Sequence, residues 1–120
     1  MNAQPSGGER TARRRIARGD IWLCALDPTV GSEIQKTRPC LIISPAELHD
    51  FLRTVIAAPL TTGSHPAHYR VPVTLEGKDG RILLDQIRAL DKRRLLRRLG
   101  AASAETLVAT LATLRELFGD

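Results

Sequence analysis

Aromatic residues are scarce in this chain of 120 residues, which holds one tryptophan, one tyrosine and two phenylalanines. Proteins that bind single-stranded nucleic acid by base stacking place several aromatic side chains on one surface. A stacking platform of that kind is therefore not expected. The one tryptophan, Trp22, follows Ile21 in an apolar segment, which is typical of a core strand.

Cysteine and long apolar runs are also lacking. Cys24 and Cys40 alternate with large apolar residues in two predicted strands, which indicates buried thiols rather than a disulfide framework or a metal pair. No apolar run is long enough to cross a bilayer, and the first residues lack the apolar segment of a signal peptide. We expect a soluble, cytosolic protein without a membrane anchor.

Positive charge is concentrated at one end of the chain. Residues 1–18 hold five arginines and one glutamate, a balance of +4 out of a total of +5. The other 102 residues hold 13 basic and 12 acidic side chains. Residues 1–18 are predicted to be a disordered basic tail, which either contacts nucleic-acid phosphates or only improves solubility. Residues 19–120 are predicted to form a single domain.

The usual signatures of hydrolytic and metal chemistry are missing. The chain has no glycine-rich phosphate loop, no Ser-His-Asp order and no zinc spacing. His65 and His68 lie in a polar loop and would bind a metal only if that loop were helical and other ligands joined them. His49 is interpreted as surface variation. No metal or other cofactor is predicted.

Short aliphatic segments predict a mainly β protein. Pro72 marks one strand as an edge strand, and the chain is expected to bend near Asp85. The predicted strands cover residues 20–26, 40–44, 54–60, 68–74, 81–85 and 86–90.

Three helices are predicted from capping residues. Ser44, Pro45 and Glu47 are typical of a helix start, with the helix continuing to about residue 52. Asp91 precedes a predicted helix over 92–99 that Gly100 ends. Ser103 precedes the longest helix, 104–118, on which Leu107, Leu111, Leu114 and Leu117/Phe118 form an apolar stripe. The fold class is α+β, mainly β, with the short strands forming a small barrel.

Arg38 is the most informative residue of the chain. It lies in Lys36-Thr37-Arg38-Pro39, where a polar loop meets the apolar segment that begins at Cys40. A guanidinium stays protonated and offers a planar fork of donors, which suits a phosphate. The local sequence is equally compatible with an arginine that pairs with a nearby carboxylate.

A second basic cluster lies in the predicted helix over 92–99. There, Arg93 with Arg97 and Arg94 with Arg98 would form like-charged i, i+4 pairs, each unfavourable by a few tenths of a kcal/mol. An anionic partner would relieve this repulsion, and a solvated helix face is the alternative.

Five motifs occur in a specific order: Gly19-Asp20-Ile21-Trp22, Thr37-Arg38-Pro39-Cys40, Ala58-Pro59-Leu60-Thr61-Thr62, Leu84-Asp85-Gln86-Ile87-Arg88 and Asp91-Lys92-Arg93-Arg94-Leu95. Together they resemble the MazF/PemK family of toxin endoribonucleases from Gly19 to Gly119. The resemblance implies an SH3-like barrel of the CcdB/PemK type, a homodimer with a groove between subunits, and a cognate antitoxin whose acidic disordered tail occupies that groove.

The resemblance also implies an activity. Members of the family are sequence-selective, metal-independent endoribonucleases that act on single-stranded RNA and leave a 2′,3′-cyclic phosphate and a 5′-hydroxyl. Two alternatives are a catalytically idle RNA-binding relative and a gyrase poison of the CcdB type. The second relies on a C-terminal Trp-Gly-Ile, whereas this chain ends in Leu117-Phe118-Gly119-Asp120.

The resemblance assigns catalytic roles to Arg38, Thr61 and Asp85. Arg38 would offset the charge of the phosphorane, and Thr61, or Thr62 beside it, would bind a phosphate oxygen or orient the 2′-hydroxyl. Asp85 would act as a base, hold Arg38, or satisfy the amides of a bent strand. Residues 29–37 would form a lid. RNA contacts are expected from Ser32, Glu33, Lys36, Thr37, Thr62, His65, His68, Gln86 and Arg88.

Two positions depart from some members of the family. Ser32 stands where those relatives hold a histidine, and Leu83 stands where they hold an arginine. Any proton role of that histidine is therefore absent here, and the active site is expected to be of the kind that uses Arg38 and Thr61.

Overall fold

The computed structural model describes residues 15–26, 36–63 and 66–120. In these residues, seven antiparallel strands form a curled sheet in the order β4-β5-β3-β2-β1-β7, with β6 paired to β3. The strands are β1 (Asp20–Ala25), β2 (Thr37–Ile42), β3 (Thr54–Thr61), β4 (Arg70–Leu75), β5 (Lys78–Leu83), β6 (Arg88–Asp91) and β7 (Leu95–Ala101). The mainly β, α+β fold class predicted from the sequence is confirmed.

Both faces of the sheet bury apolar side chains. Successive residues of a strand point to opposite faces, so Trp22 and Cys40 belong to one core cluster while Ile21 and Leu41 belong to the other. Two buried faces explain the nearly continuous apolar segments of the sequence. Cys24 and Cys40 are buried thiols outside any disulfide bond and Trp22 is in the core, as predicted.

β2 begins three residues earlier than predicted. Its polar first residues continue the ladder with β1, in which Thr37 pairs with Ala25 and Arg38 pairs with Cys24. The backbone hydrogen bonds of that ladder outweigh the polar character of the side chains. Arg38 is therefore held within a strand rather than at the end of a loop.

β4 and β5 form a tight hairpin. Leu75 pairs with Lys78, and the two residues between them, Glu76 and Gly77, have φ angles of 52° and 79°. Positive φ at both positions matches the turn type that suits two-residue hairpins. The strand predicted over 81–85 thus starts earlier, at Lys78, and β4 is an edge strand as Pro72 indicates.

The chain bends near Asp85, as predicted. A 3₁₀ turn, Leu84–Gln86, separates β5 from β6.

The helix predicted over 92–99 is wrong. Asp91 does accept a hydrogen bond from the Arg93 backbone N–H, but only one 3₁₀ turn, Lys92–Arg94, follows before β7 begins. Pairing with β1 and burial of Leu95 favour the strand over the helix. The i, i+4 repulsion consequently does not arise. Arg93 pairs with Asp91, and Arg98 pairs with Asp20.

Helix α1 (Ala46–His49) is shorter than predicted, and Ser44 does not cap it. The Ser44 hydroxyl instead lies 2.7 Å from His49 Nε2 and accepts the Ile56 backbone N–H at 2.9 Å. His49 Nδ1 donates to the carbonyl oxygen of Ile16 at 2.5 Å. His49 is only 7% exposed, so its interpretation as surface variation is wrong.

The folded unit begins earlier than residue 19. Ile16 is buried in the core cluster that contains Trp22, and the Arg18 guanidinium donates to the Ile43 carbonyl at 2.7 Å. The last residues of the predicted tail therefore belong to the packed domain.

Helix α2 (Ala104–Phe118) has the predicted bounds, and the Ser103 hydroxyl accepts the Thr106 backbone N–H as its cap. Leu114 packs against the second core cluster, whereas Phe118 at the end of the helix is 71% exposed and does not join the stripe. Among the described residues, no helix has the length and apolar character needed to cross a membrane.

The His49 network is expected to contribute measurably to stability. Replacing His49 with alanine removes one of the two hydrogen-bond partners of the Ser44 hydroxyl, removes the imidazole donor to the Ile16 carbonyl and opens a cavity. We expect the free energy of unfolding in urea to fall by about 2–4 kcal/mol. Asp50→Ala, at the exposed neighbouring residue, serves as the control. Equal free energies of unfolding for Asp50→Ala and His49→Ala would contradict a stabilising role of the His49 network.

Candidate active site

Arg38 is half-buried at the start of β2. Within residues 15–26, 36–63 and 66–120, its guanidinium has no hydrogen-bond or carboxylate partner. The pairing alternative left open by the sequence is thus not observed in the described part of the chain. A guanidinium that is partly withdrawn from water and has no protein acceptor is suited to bind an anion.

Arg38 lines a cavity of about 500 Å³, which we call the Arg38 cavity. Thr61, the last residue of β3, and Thr62 after it belong to its wall, so the structure brings these two predicted residues to Arg38. The cavity has three cationic side chains and one carboxylate, which makes it electropositive. Its lining residues are Lys36, Thr37, Arg38, Pro39, Leu60, Thr61, Thr62, Val73, Leu75, Glu76, Lys78 and Gly80.

Thr61 is positioned by the end of β3, where that strand pairs with β5. Its hydroxyl oxygen accepts the Gly63 backbone N–H at 3.3 Å, which leaves the hydroxyl proton available to a ligand. Thr62 is exposed beside it. Both threonines can donate to an anion in the cavity.

Gly80 allows β5 to approach Thr61 closely. A Cβ placed on Gly80 would lie 2.7 Å from the carbonyl oxygen of Thr61, which is closer than real Cβ contacts. The absence of a side chain at this position therefore sets the spacing of the strands beneath Thr61.

Asp85 is not in the Arg38 cavity. Its carboxylate accepts two hydrogen bonds from Arg70, from Nε at 3.2 Å and from Nη2 at 3.0 Å. These hydrogen bonds lower the pKa of Asp85 and keep it ionised. The expectation that Asp85 holds Arg38 is wrong within the described residues, since Asp85 holds Arg70.

Arg88 lies on the same side of the sheet as Arg38. It pairs with Ala57 at the start of β6, and the charges of both arginines lower the pKa of the Cys40 thiol. The hydrogen bond with Cys24 and burial have the larger, opposite effect, so the pKa of Cys40 is raised and the thiol stays neutral. Arg38 and Arg88 therefore lie on one face of the sheet, where the neighbouring Cys40 thiol is uncharged.

The remaining predicted contacts are more scattered. His68 Nε2 lies 2.9 Å from Glu116 Oε1 on an exposed surface, and the His68 ring packs edge-on against Tyr69. Gln86 is exposed at the end of the 3₁₀ turn. Lys36 and Thr37 line the Arg38 cavity. Ser32, Glu33, His65 and most of the predicted lid lie outside the described residues.

Sequence reasoning missed the contribution of the β4–β5 hairpin, which adds Glu76, Lys78 and Gly80 to the Arg38 cavity. Gly77 was the available signal, because glycine readily adopts the positive φ that a two-residue hairpin turn requires. No group of three or more His, Cys, Asp or Glu side chains that could hold a metal ion occurs in the part of the chain that the structure describes.

Comparisons with known proteins agree on one family. The model of the family described as PemK-like, MazF-like toxin of type II toxin-antitoxin system matches residues 17–118. Endoribonuclease PemK of Escherichia coli is 38% identical over 91 residues, which cover 70% of this chain and 68% of the relative. Endoribonuclease MazF of Staphylococcus epidermidis is 38% identical over 99 residues, which cover 78% of this chain and 82% of the relative.

Solved structures support the same fold. The MazE-MazF structure (Form-II) from Deinococcus radiodurans is similar with a TM-score of 0.77 at 27% identity, covering 88% of this chain and 96% of that chain. A MazF structure (Form-I) from the same organism has a TM-score of 0.70 at 29% identity, and the similarity covers 87% of this chain and 96% of that chain.

The close approach at Gly80 can be tested by stability. The added methyl group of Gly80→Ala would push β5 away from Thr61, so we expect unfolding free energy to fall by about 1–3 kcal/mol. A Cβ on Gly63 meets nothing within 4 Å, and Gly63→Ala should change stability by less than about 0.5 kcal/mol. Chemical denaturation measures both, and equal effects would contradict the close contact.

Proposed function

The chain belongs to the PemK-like, MazF-like toxins of type II toxin–antitoxin systems, and from that premise we propose how its site acts on RNA. It is a toxin endoribonuclease, and we infer that it cleaves single-stranded RNA sequence-selectively and without a metal ion. The observation that carries this proposal is the half-buried Arg38 guanidinium, which has no partner in the described residues and shares one cavity with Thr61.

The proposed reaction is an internal transesterification. The 2′-hydroxyl oxygen forms a bond to the adjacent phosphorus while the bond from phosphorus to the 5′ oxygen breaks. The 2′-hydroxyl loses its proton and the departing 5′ oxygen gains one, so the products are a 2′,3′-cyclic phosphate and a 5′-hydroxyl. Negative charge grows on the non-bridging oxygens as the phosphorane forms, and catalysis requires donors aimed at those oxygens.

Arg38 and Thr61 would supply those donors. Arginine has a pKa above about 12 and is a poor proton donor at neutral pH, so its role is charge stabilisation. The free hydroxyl proton of Thr61 would bind a non-bridging oxygen or orient the 2′-hydroxyl. Lys36 and Lys78 add positive charge to the same cavity.

Asp85 would act less directly. A general base is most effective when its pKa is near the working pH, whereas Arg70 lowers the pKa of Asp85. Because the folded-state pKa is lowered, the stabilising effect of this pair is present above the ordinary carboxyl pKa and is lost as the pH falls through the lowered value. We propose that Asp85 orders Arg70 near the RNA path rather than removing the 2′ proton.

An acidic antitoxin is the proposed protein partner, in the cytoplasm. Its disordered acidic tail would enter the Arg38 cavity, since three cations and one carboxylate line it. The similar Deinococcus radiodurans structure is of MazE with MazF. A homodimer is also proposed, because large apolar side chains stay exposed on the single chain. Phe51 is 84% exposed, and the other exposed large apolar residues in the described part of the chain are Leu48, Leu52, Ile56, Leu96, Val108 and Phe118.

Cleavage of a long RNA in EDTA tests the proposed role of Arg38. We expect Arg38→Ala to lower kcat/KM by about 100-fold or more, because it removes the main stabilising charge. Arg115→Ala, which removes the same charge from an exposed site on α2, should leave the rate unchanged, and EDTA should not affect the wild type.

Equal cleavage by the Arg38→Ala and wild-type proteins would refute the role of Arg38. RNA binding by the wild type without cleavage would refute the nuclease itself and favour an idle RNA-binding relative.

Asp85→Asn separates the two roles of Asp85. The amide keeps a hydrogen-bond acceptor for Arg70, so we expect kcat/KM at pH 7 to fall by less than about tenfold. The rate is measured beside that of Arg38→Ala. A loss from Asp85→Asn as large as that from Arg38→Ala would instead identify Asp85 as the general base.

A further inference from the structure

A second cavity, of about 620 Å³, lies on the other side of Thr62 and has no role in the proposed chemistry. We call it the Arg81 cavity. Its volume falls within the range of about 300–1,000 Å³ that is usual for small-molecule sites. Its lining residues are Thr62, Pro72, Val73, Thr74, Asp79, Gly80, Arg81, Ser103 and Thr106.

The two cavities are adjoining. Thr62, Val73 and Gly80 line both of them. Arg81 is also the cross-strand partner of Thr61, and paired residues on antiparallel strands have Cα atoms only about 4.5–5.5 Å apart. If one phosphate of an RNA strand lies between Arg38 and Thr61, the neighbouring nucleotide would therefore lie in the Arg81 cavity.

Arg81 shares a property with Arg38. Both arginines are half-buried, and neither guanidinium has a hydrogen-bond or carboxylate partner in residues 15–26, 36–63 and 66–120. The other half-buried arginines are engaged, Arg70 by Asp85 and Arg94 by the Ala25 carbonyl. A partly desolvated cation without a protein acceptor is costly unless a ligand supplies one.

Asp79 provides the complementary group. It lies two residues before Arg81 on β5, and both face the same side because their partners on β4 are Thr74 and Pro72. One Asp79 oxygen accepts the Thr74 hydroxyl at 2.8 Å, which leaves the other without a partner in the described part of the chain. The cavity thus offers a fork of donors beside a free acceptor.

We propose that the Arg81 cavity binds the base of the nucleotide next to the scissile phosphate and selects bases that carry an exocyclic amino group. Asp79 accepts from that amino group, and Arg81 donates to the ring or carbonyl acceptors of the same base. Acidic side chains accept from the cytosine amino group, and arginine donates to guanine in the same way in nucleic-acid complexes. Uracil has no amino group, so it is disfavoured. This inference rests on the proposed function.

Mapping cleavage ends on a random RNA pool tests the assignment. The wild type should cut with a preference for amino-bearing bases over uracil at one position beside the cut. Asp79→Asn keeps an oxygen for the Thr74 hydroxyl but can present an amide donor, so the preference at that position should shift toward uracil. Arg81→Ala should lower kcat/KM about tenfold or more.

Two further variants test whether the loss of a positive charge alone explains the effect of Arg81→Ala. Arg81→Lys keeps the charge but loses the fork, so it should retain more activity than Arg81→Ala while losing base preference. Arg115→Ala removes an equal charge elsewhere and should leave both rate and preference unchanged. Thermal melting of each variant shows whether it is folded.

Failure of this inference is distinguishable from failure of the proposed function. If the wild type cleaves and Arg38→Ala does not, but Asp79→Asn and Arg81→Ala retain the wild-type rate and preference, only the base site is overturned. Binding of short oligoribonucleotides to Arg38→Ala, measured by fluorescence anisotropy, tests the cavity without cleavage. In that measurement, equal affinity for oligoribonucleotides that differ only at the selected position would overturn the proposed base site.

Discussion

The site depends on the fact that one strand, β3, pairs with three others. Its first half pairs with β6, its middle pairs with β2, and its last two residues pair with β5. Pro59 lies at the point of change and has no N–H to donate to the ladder. The end of β3 can therefore leave β2 and join the hairpin. This divergence opens the space between β2 and β5 in which Arg38 and Thr61 meet.

Charge is distributed in a way that separates structure from function. Arg70, Arg93 and Arg98 have carboxylate partners, and these pairs connect elements that are distant in the chain or close a turn. Arg38 and Arg81 are partly withdrawn from water without such partners in the described residues. Because these two guanidinium groups have no acceptor in the described residues, they can form hydrogen bonds and ion pairs with a ligand. Those interactions would stabilise a bound anion or base. The position of half-buried, unpaired cations is thus the clearest functional signal in the molecule.

Much of the fold could be predicted from local sequence, because β1, β3 and α2 have strong patterns and a clear cap at Ser103. The failures have a common cause in long-range contacts. The local sequence predicts a helix over residues 92–99, but pairing with β1 makes residues 95–101 a strand. His49 looks like a surface residue until α1 brings it to Ile16. Arg38 and Thr61 were predicted through family motifs, whereas Arg81 was missed, since only the hairpin register places it beside Thr61.

The pairing of β1 with β7 has a consequence for synthesis. The first strand of the domain finds one of its two neighbours in residues 95–101, near the end of the chain. On a translating ribosome, the outer edge of β1 stays open until residues 95–101 have emerged. Contacts of such large sequence separation slow folding, and open edges invite association with other chains. The sheet is thus complete only once residues 95–101 have paired with β1, and until then the open edge of β1 is available to a binding partner.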